Sequence, residues 1–303
     1  MTVFATFAII LVLLAIGYAL NRFRVVPENA SATLNLVVLN VCLPAAILLY
    51  APRLQFEREL IALVAIPWII LIVSTALVFT LGRALHFDRP STANLLLQIP
   101  LGNTSYIGYS LIPLLVGVGA MRYAVVYDQL GSFLILTTWG LFVISVYGGG
   151  ERLRLGTILH RVLRFPPFIA LVLALTVVPA ELPPVFDKGL HLLADALLPI
   201  VVLALGMQLK FRLSRQHALP LAVGLLAKLV LMPMLAFGLA HLFGLSREML
   251  LVAVYLTAMP PMVTSGALLA LAGLAPELAA ALIGYGILLS MLTLPLWHWF
   301  LSQ

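Results

Sequence analysis

Residues Gln98 to Gly117 read Gln-Ile-Pro-Leu-Gly-Asn-Thr-Ser-Tyr-Ile-Gly-Tyr-Ser-Leu-Ile-Pro-Leu-Leu-Val-Gly. The stretch is long enough to cross a bilayer, which takes roughly 20 helical residues. A plain membrane helix would be mostly Leu, Val, Ile and Ala. This one carries Pro100, Gly102, Asn103, Thr104 and Ser105 in its middle. Pro100 lacks a backbone donor, and its ring clashes with the carbonyl four residues earlier. Gly102 leaves helical dihedrals at little cost. Backbone groups freed at membrane depth must be buried in protein or line a polar cavity. The stretch therefore reads as a helix broken at the midplane, with Asn103, Thr104 and Ser105 at the break. Such breaks are the usual sequence pointer to a transporter site. The plainer alternative is a proline kink between packed helices.

The rest of the chain supports a membrane setting. Of its 303 residues 63% are hydrophobic and 9% charged, whereas a soluble domain carries about 25% charged residues. The formal charge of +6 comes from Lys and Arg in short loops. It points to topology and anionic lipid contact rather than to nucleic acid. A single cysteine, Cys42, excludes a disulfide framework and a cysteine metal cluster. The six histidines are scattered singly, so no metal site is expected. No Walker-type Gly-Lys-Ser/Thr loop occurs, so no ATP-driven step or cofactor is expected, and no enzyme. No cleavable signal precedes the first apolar run.

Apolar runs near 2–21, 30–50, 60–82, 92–117, 122–147, 166–182, 190–209, 218–243, 248–272 and 276–301 predict ten spans. The run at 166–182 is marginal in length. Gly148 to Phe165 is Gly-rich and then basic, and reads as a linker between halves 1–147 and 166–303. Lys and Arg number eleven in the odd-numbered loops and five in the even ones. The positive-inside rule then places the 148–165 linker in the cytoplasm and both termini outside an inner or plasma membrane.

The halves look alike. Leu43-Pro44 matches Leu198-Pro199, and Pro100 matches Pro260, with Pro261 beside it. Thr104-Ser105 and Thr264-Ser265 follow their prolines at the same offsets, with Gly266 next. Five spans per half is odd, so the second half enters the membrane from the opposite side. The fold class expected is all-α polytopic: ten transmembrane helices as two inverted five-helix repeats, with the site where the halves meet.

Three charged side chains fall within spans: Asp128, Asp195 and Lys228. Each carries an insertion penalty of about 2.5–3.5 kcal/mol at a helix centre. Asp128, followed by Gln129, reads as an ion-coupling carboxylate beside the broken helix, or as a structural hydrogen bond near a span end. Asp195 is either a polar helix start or a seam residue equivalent to Asn40. Lys228 could bind an anion, pair with an acid or snorkel. Asn35 and Asn40, five apart on one helix, read as packing hydrogen bonds.

These residues carry a resemblance. Gly102-Asn103-Thr104 with Gly108, Asp128-Gln129, Leu198-Pro199 with Gly206, and Met259-Pro260 through the closing Ser290-to-Leu296 run resemble the auxin efflux carrier family, whose bacterial permeases include malonate and related organic-acid carriers. The resemblance spans essentially the whole chain and rests on order and spacing. It implies a bile-acid sodium symporter-like fold in which helices 4 and 9 are broken and cross at the midplane. Helices 1, 2, 6 and 7 would form a scaffold, and a homodimer through them fits that division, while 3–5 and 8–10 move. It implies a secondary carrier for a small organic anion, bound at Gly102, Asn103, Thr104, Ser105, Thr264, Ser265 and Gly266. Coupling to H+ or Na+ would fall to Asp128, Gln129, Asp195 or Lys228. Several relatives carry Asn at the second break where Thr264 and Ser265 stand here, which keeps substrate and coupling open. Two other classes compete. In an intramembrane aspartyl protease Asp128 and Asp195 would share a proton, although the Gly-x-Gly-Asp half of that signature is missing. The other is a non-transporting receptor on the same fold.

Overall fold

The computed structural model describes residues 3–54, 57–148, 156, 160, 162–209 and 214–303, with side chains from Phe7 onward. Among these residues there are helices and no strand. In chain order they are α1 (Val3–Arg22), α2 (Ala30–Arg53), α3 (Glu59–Ala84), α4 (Arg89–Gln98), α5 (104–115), α6 (Val118–Tyr147), α7 (Pro166–Thr176), α8 (Pro184–Gln208), α9 (Arg215–Leu242), α10 (Arg247–Ala258), α11 (Val263–Leu271) and α12 (Pro276–Leu301). Six of them, α2, α3, α6, α8, α9 and α12, are continuous, long and apolar enough to cross a membrane. The segment expected at 166–182 stops as helix at Thr176, shortly before the Pro179–Pro184 region. Most of the expected linker, 149–155, 157–159 and 161, lies outside the described residues.

Local chemistry sets the helix ends. Pro stands in the first turn of α4, α7, α8 and α12, where a missing N–H removes no helical bond. Asp88 caps α4, its Oδ1 accepting from the Ser91 amide at 2.9 Å. Pro67 lies inside α3, and α6 packs tightly against its ring at Gly131, where a Cβ would fall 2.4 Å from Pro67 Cγ. Beside it Trp68 Nε1 donates to the Leu130 carbonyl at 3.0 Å.

The helices pack in two groups. In the first, α8 lies against α1 and α2, and α7 against α2. The α1–α8 crossing is glycine on glycine. A Cβ on Gly17 would fall 2.3 Å from the Leu203 carbonyl oxygen, and one on Gly206 2.3 Å from that of Leu14. Close backbone approach of this kind is how apolar helices associate where no hydrophobic driving force separates protein from lipid. In the second group α9 packs on α3 and α10, α11 on α4 and α12, and α6 on α3, α4 and α10. The groups touch where α5 meets α8 and α1, and where α6 meets α2 and α7.

Candidate functional site: the crossing of two broken helices

The chain leaves helix at Ile99 after α4 and at Met259 after α10, and resumes at Thr104 and Val263. The two extended breaks lie antiparallel and pair at Gly102 and Pro261. The Asn103 amide donates to the Pro260 carbonyl at 2.8 Å, and the Met262 amide to that of Leu101 at 3.1 Å. Each break thus satisfies backbone groups that the other's proline set free, as membrane depth demands. Gly102 permits the approach. A Cβ there would lie 2.9 Å from the Leu256 carbonyl oxygen and 3.0 Å from Lys228 Nζ. Pro261 is wedged against Gly286, where a Cβ would fall 2.5 Å from Pro261 Cδ.

Two helix N-termini now meet at the crossing. In a first turn the backbone N–H groups have no intrahelical partner, and they present partial positive charge. The first bond of α5 is Gly108 N–H to Asn103 O, a π-helical turn, and that of α11 is Gly266 N–H to Met262 O. The open amides of Thr104–Ile107 and Val263–Ser265 therefore belong to these two ends.

Asp128 serves the first of them. It is fully buried on a π-helical turn of α6, a distortion frequent at functional sites. The Thr104 hydroxyl donates to Oδ1 in a short contact. Ser105 Oγ lies 2.7 Å from Oδ1 and 2.8 Å from Oδ2. The Tyr109 hydroxyl reaches Oδ2 at 3.1 Å, and Gln129 Nε2 reaches it at 2.8 Å. A carboxylate is an acceptor only, and here four side chains on α5 and α6 supply its donors. Among the described residues no second carboxylate is hydrogen-bonded to it. Asp195 is exposed on α8, near Tyr50, and it has no hydrogen bond to the Asp128 cluster.

Lys228 lies on a π-helical turn of α9, 1% exposed. Its Nζ donates to the Thr257 carbonyl, in the last turn of α10, at 3.1 Å. The Thr257 hydroxyl donates to the Ala253 carbonyl at 2.7 Å, so the Tyr127 hydroxyl, 2.9 Å away, donates to Thr257. Among the described residues Lys228 pairs with no acid, and it does not snorkel.

On the other side of the crossing lies a cavity of about 520 Å³. Its polar wall is Ser31, Asn35, Asn103, Ser105, Thr264 and Gln208, and its apolar wall includes Leu43, Phe133, Leu136, Phe165 and Met262. Phe133 and Phe165 stack at 4.1 Å. Among the described residues no charged side chain lines it. Among the described residues Asn103 Nδ2 and Asn35 Oδ1 are buried without a hydrogen-bond partner. A second cavity of about 580 Å³ shares Ser31, Gln208, Val263 and Ala267 with the first, and runs to Val26–Glu28 and Pro276. The site residues expected from sequence divide accordingly. Asn103, Ser105 and Thr264 line the first cavity, and Gly266 the second. Thr104 turns to Asp128, and Ser265 Oγ donates to Gln98 Oε1 at 3.2 Å. Gly102, Pro100, Pro260 and Pro261 build the crossing itself. Sequence reasoning missed Gln98 and Gln208, polar groups at the ends of α4 and α8, and assigned Asn35 to packing. Asn40 does bond locally, to the Leu36 carbonyl at 2.7 Å.

A family model described as membrane transport protein matches residues 2–298. An uncharacterized transporter of Methanothermobacter thermautotrophicus is 28% identical over 291 residues, covering 95% of each chain. A second uncharacterized transporter, from Methanocaldococcus jannaschii, is 25% identical over 305 residues, covering 97% of each chain.

Proposed function

Because this chain belongs to the membrane transport protein family, we propose that it is an alternating-access carrier of a small organic anion, built as ten transmembrane helices in two inverted repeats. The six continuous spans, α1, α7 and the two broken pairs α4–α5 and α10–α11 make up the ten. The matched proline offsets, and the antiparallel pairing of the breaks, support the inverted repeat. We assign 1–147 and 166–303 to the two repeats, with α1, α2, α7 and α8 as the scaffold against which the other helices move.

The observation that carries this reading is the cavity where Asn103, Ser105 and Thr264, from two helix N-termini, face Asn35 and Gln208 of the scaffold helices. Helix N-termini bind carboxylates through free N–H groups and dipole. Neutral amides and hydroxyls can complete such a site without a buried cation. The second cavity leads to the α1–α2 and α11–α12 connections, on the side that the Lys and Arg distribution assigns to the cytoplasm. The conformation is then inward-open.

The test is uptake and counterflow by the reconstituted protein with acetate, phenylacetate, malonate and succinate. At least one acid should exchange, and Asn103→Ala should weaken its binding while the protein stays folded. No exchange of any of the four, by protein shown to be folded, would remove the organic-anion reading. A reporter active only in the cytoplasm should be active when fused within 148–165 and silent at the C-terminus.

A further inference from the structure

Lys228 is the buried charged group that the site leaves unexplained. It lies beyond the crossing from the cavity, with the broken backbone at Gly102 and Asn103 between them. Its Nζ sits 3.0 Å from the position a Gly102 Cβ would take, one residue from cavity-lining Asn103. Among the described residues its one hydrogen-bond partner is a carbonyl oxygen. A carbonyl can accept from an ammonium or from a neutral amine, so the contact survives in both protonation states. Asp128 is the opposite case, with two oxygens served by donors from Thr104, Ser105, Tyr109 and Gln129. A neutral acid there would need an acceptor among groups now donating.

The titratable groups around Lys228 do not neutralise it. On α10, Tyr255 is hydrogen-bonded to His298 Nδ1 of α12 at 2.7 Å, and Glu248 at the helix start pairs with Arg122. α12 also carries Tyr285 and, at its far end, Glu277 bonded to Ser214. On α6, Tyr127 is engaged by Thr257 and Asp128 by its own cluster. The charges of α3 and α4, Glu59, Arg83 and Arg89, stand near helix ends. On α9 itself Arg215, His217 and His241 stand in the first and last turns. None of these groups is hydrogen-bonded to Lys228, and the cavity beyond Asn103 is where a negative charge brought from outside the protein can come to face it.

We propose that Lys228 carries the coupling proton: the substrate anion binds at the cavity while Lys228 is an ammonium, and both charges are released together on the other side. The step is proton uptake by an amine and its return, with no other bond made or broken. It rests on the anion-carrier reading and names that carrier's coupling group. Attraction across the crossing makes the two binding events reciprocal, so each strengthens the other by the same factor. Lysine suits the role because its amine exists in either state when buried, whereas arginine stays charged.

The experiment uses proteoliposomes with the same four acids, comparing the parent, Lys228→Met and Lys228→Arg. Counterflow reports the carrier. Accumulation under an imposed pH gradient reports the coupling. The parent should accumulate substrate when the pH gradient is imposed, and not with a Na+ gradient alone. Lys228→Met should bind the acid as weakly as the parent does at high pH, and both variants, in counterflow run at saturating acid, should lose accumulation at least about tenfold more than they lose exchange. Accumulation by Lys228→Arg equal to the parent's would mean that a fixed cation suffices and would overturn the proposal; so would accumulation by Lys228→Met, or driven by Na+ alone. Should neither variant fold, the parent decides. Its phenylacetate affinity should fall as pH is raised and Lys228 loses its proton, by up to about tenfold per pH unit, over a range in which that acid stays ionised. A flat profile there overturns the proposal. Absent counterflow in the parent defeats the carrier reading itself, a distinct result.

Discussion

The two breaks share a backbone and differ in what holds them. At the first, the N-terminus of α5 is anchored: Thr104, Ser105 and Tyr109 all donate to Asp128. At the second, the N-terminus of α11 has no acid. Ser265 turns inward to Gln98, and Thr264 is left exposed to the cavity. The charges are placed by helix polarity. The carboxylate sits at an N-terminal end, and Lys228 at the carbonyl end of α10, each where the dipole favours it. One half-helix end is thus held by a buried carboxylate of the protein, while the other, with no acid among the described residues bonded to it, faces the cavity.

The sharpest way to break this comparison is to remove the anchor. Asp128→Ala would strand the Thr104, Ser105, Tyr109 and Gln129 donors in a buried site. Each buried donor without a partner costs about 1–3 kcal/mol, so a loss of about 4 kcal/mol or more is expected. Thermal unfolding in detergent should show it, with counterflow lost as well. Asp128→Asn, which keeps one acceptor oxygen, should fall between. If Asp128→Asn instead unfolds with the parent, exchanges substrate and loses only accumulation, Asp128 is the coupling group and not an anchor.

The backbone shared by the two breaks can be tested next. Gly102→Ala places a Cβ 2.9 Å from the Leu256 carbonyl oxygen and 3.0 Å from Lys228 Nζ. The lysine end can give way, the backbone carbonyl cannot, and overpacking of this kind costs about 1–3 kcal/mol. The expected result is a lower unfolding temperature and slower counterflow. A parent-like protein would mean that the crossing is looser than its hydrogen bonds indicate.

Much of this was legible in the sequence because prolines and charges are rare in apolar helices. Pro100 and Pro260 with their trailing hydroxyls located both breaks, and Asp128 and Lys228 stood out as charges within spans. Partnership was not legible. Whether Thr104 serves a ligand or an acid depends on which way the first turn faces, and a π-helical turn, which shifts that facing, leaves no periodic trace in composition. Gln98 was passed over because it precedes the proline by two residues and reads as helix. Its contact with Ser265 spans 167 positions and exists only once the breaks pair. Asn35 and Gln208 belong to the cavity only because α2 and α8 pack across from the crossing.

A smaller effect sharpens the difference between the two N-termini. Thr264→Val removes a hydroxyl at the unanchored end while keeping its shape. If a substrate carboxylate sits there, the loss is one hydrogen bond to a charged group, about 1.5–3 kcal/mol. Affinity in counterflow should then fall by about tenfold or more, with the unfolding temperature unchanged. Unaltered affinity would place the carboxylate nearer Asn103 and the α5 end.

The smallest expected effect concerns Asp195, the charge the sequence set beside Asp128 as a coupling candidate. It is exposed on α8, in the group of helices that does not include the crossing, and it shares no hydrogen bond with Asp128, Lys228 or the cavity wall. A solvated or interface-facing acid of this kind is replaceable, and surface changes away from buried networks stay within about 0.5 kcal/mol. Asp195→Asn should therefore match the parent within about twofold in counterflow and in gradient-driven accumulation. Its unfolding temperature should be the parent's as well. If accumulation alone collapses in Asp195→Asn while exchange persists, coupling runs through the scaffold rather than through the crossing, and the contrast between the two breaks describes binding without describing energy transfer.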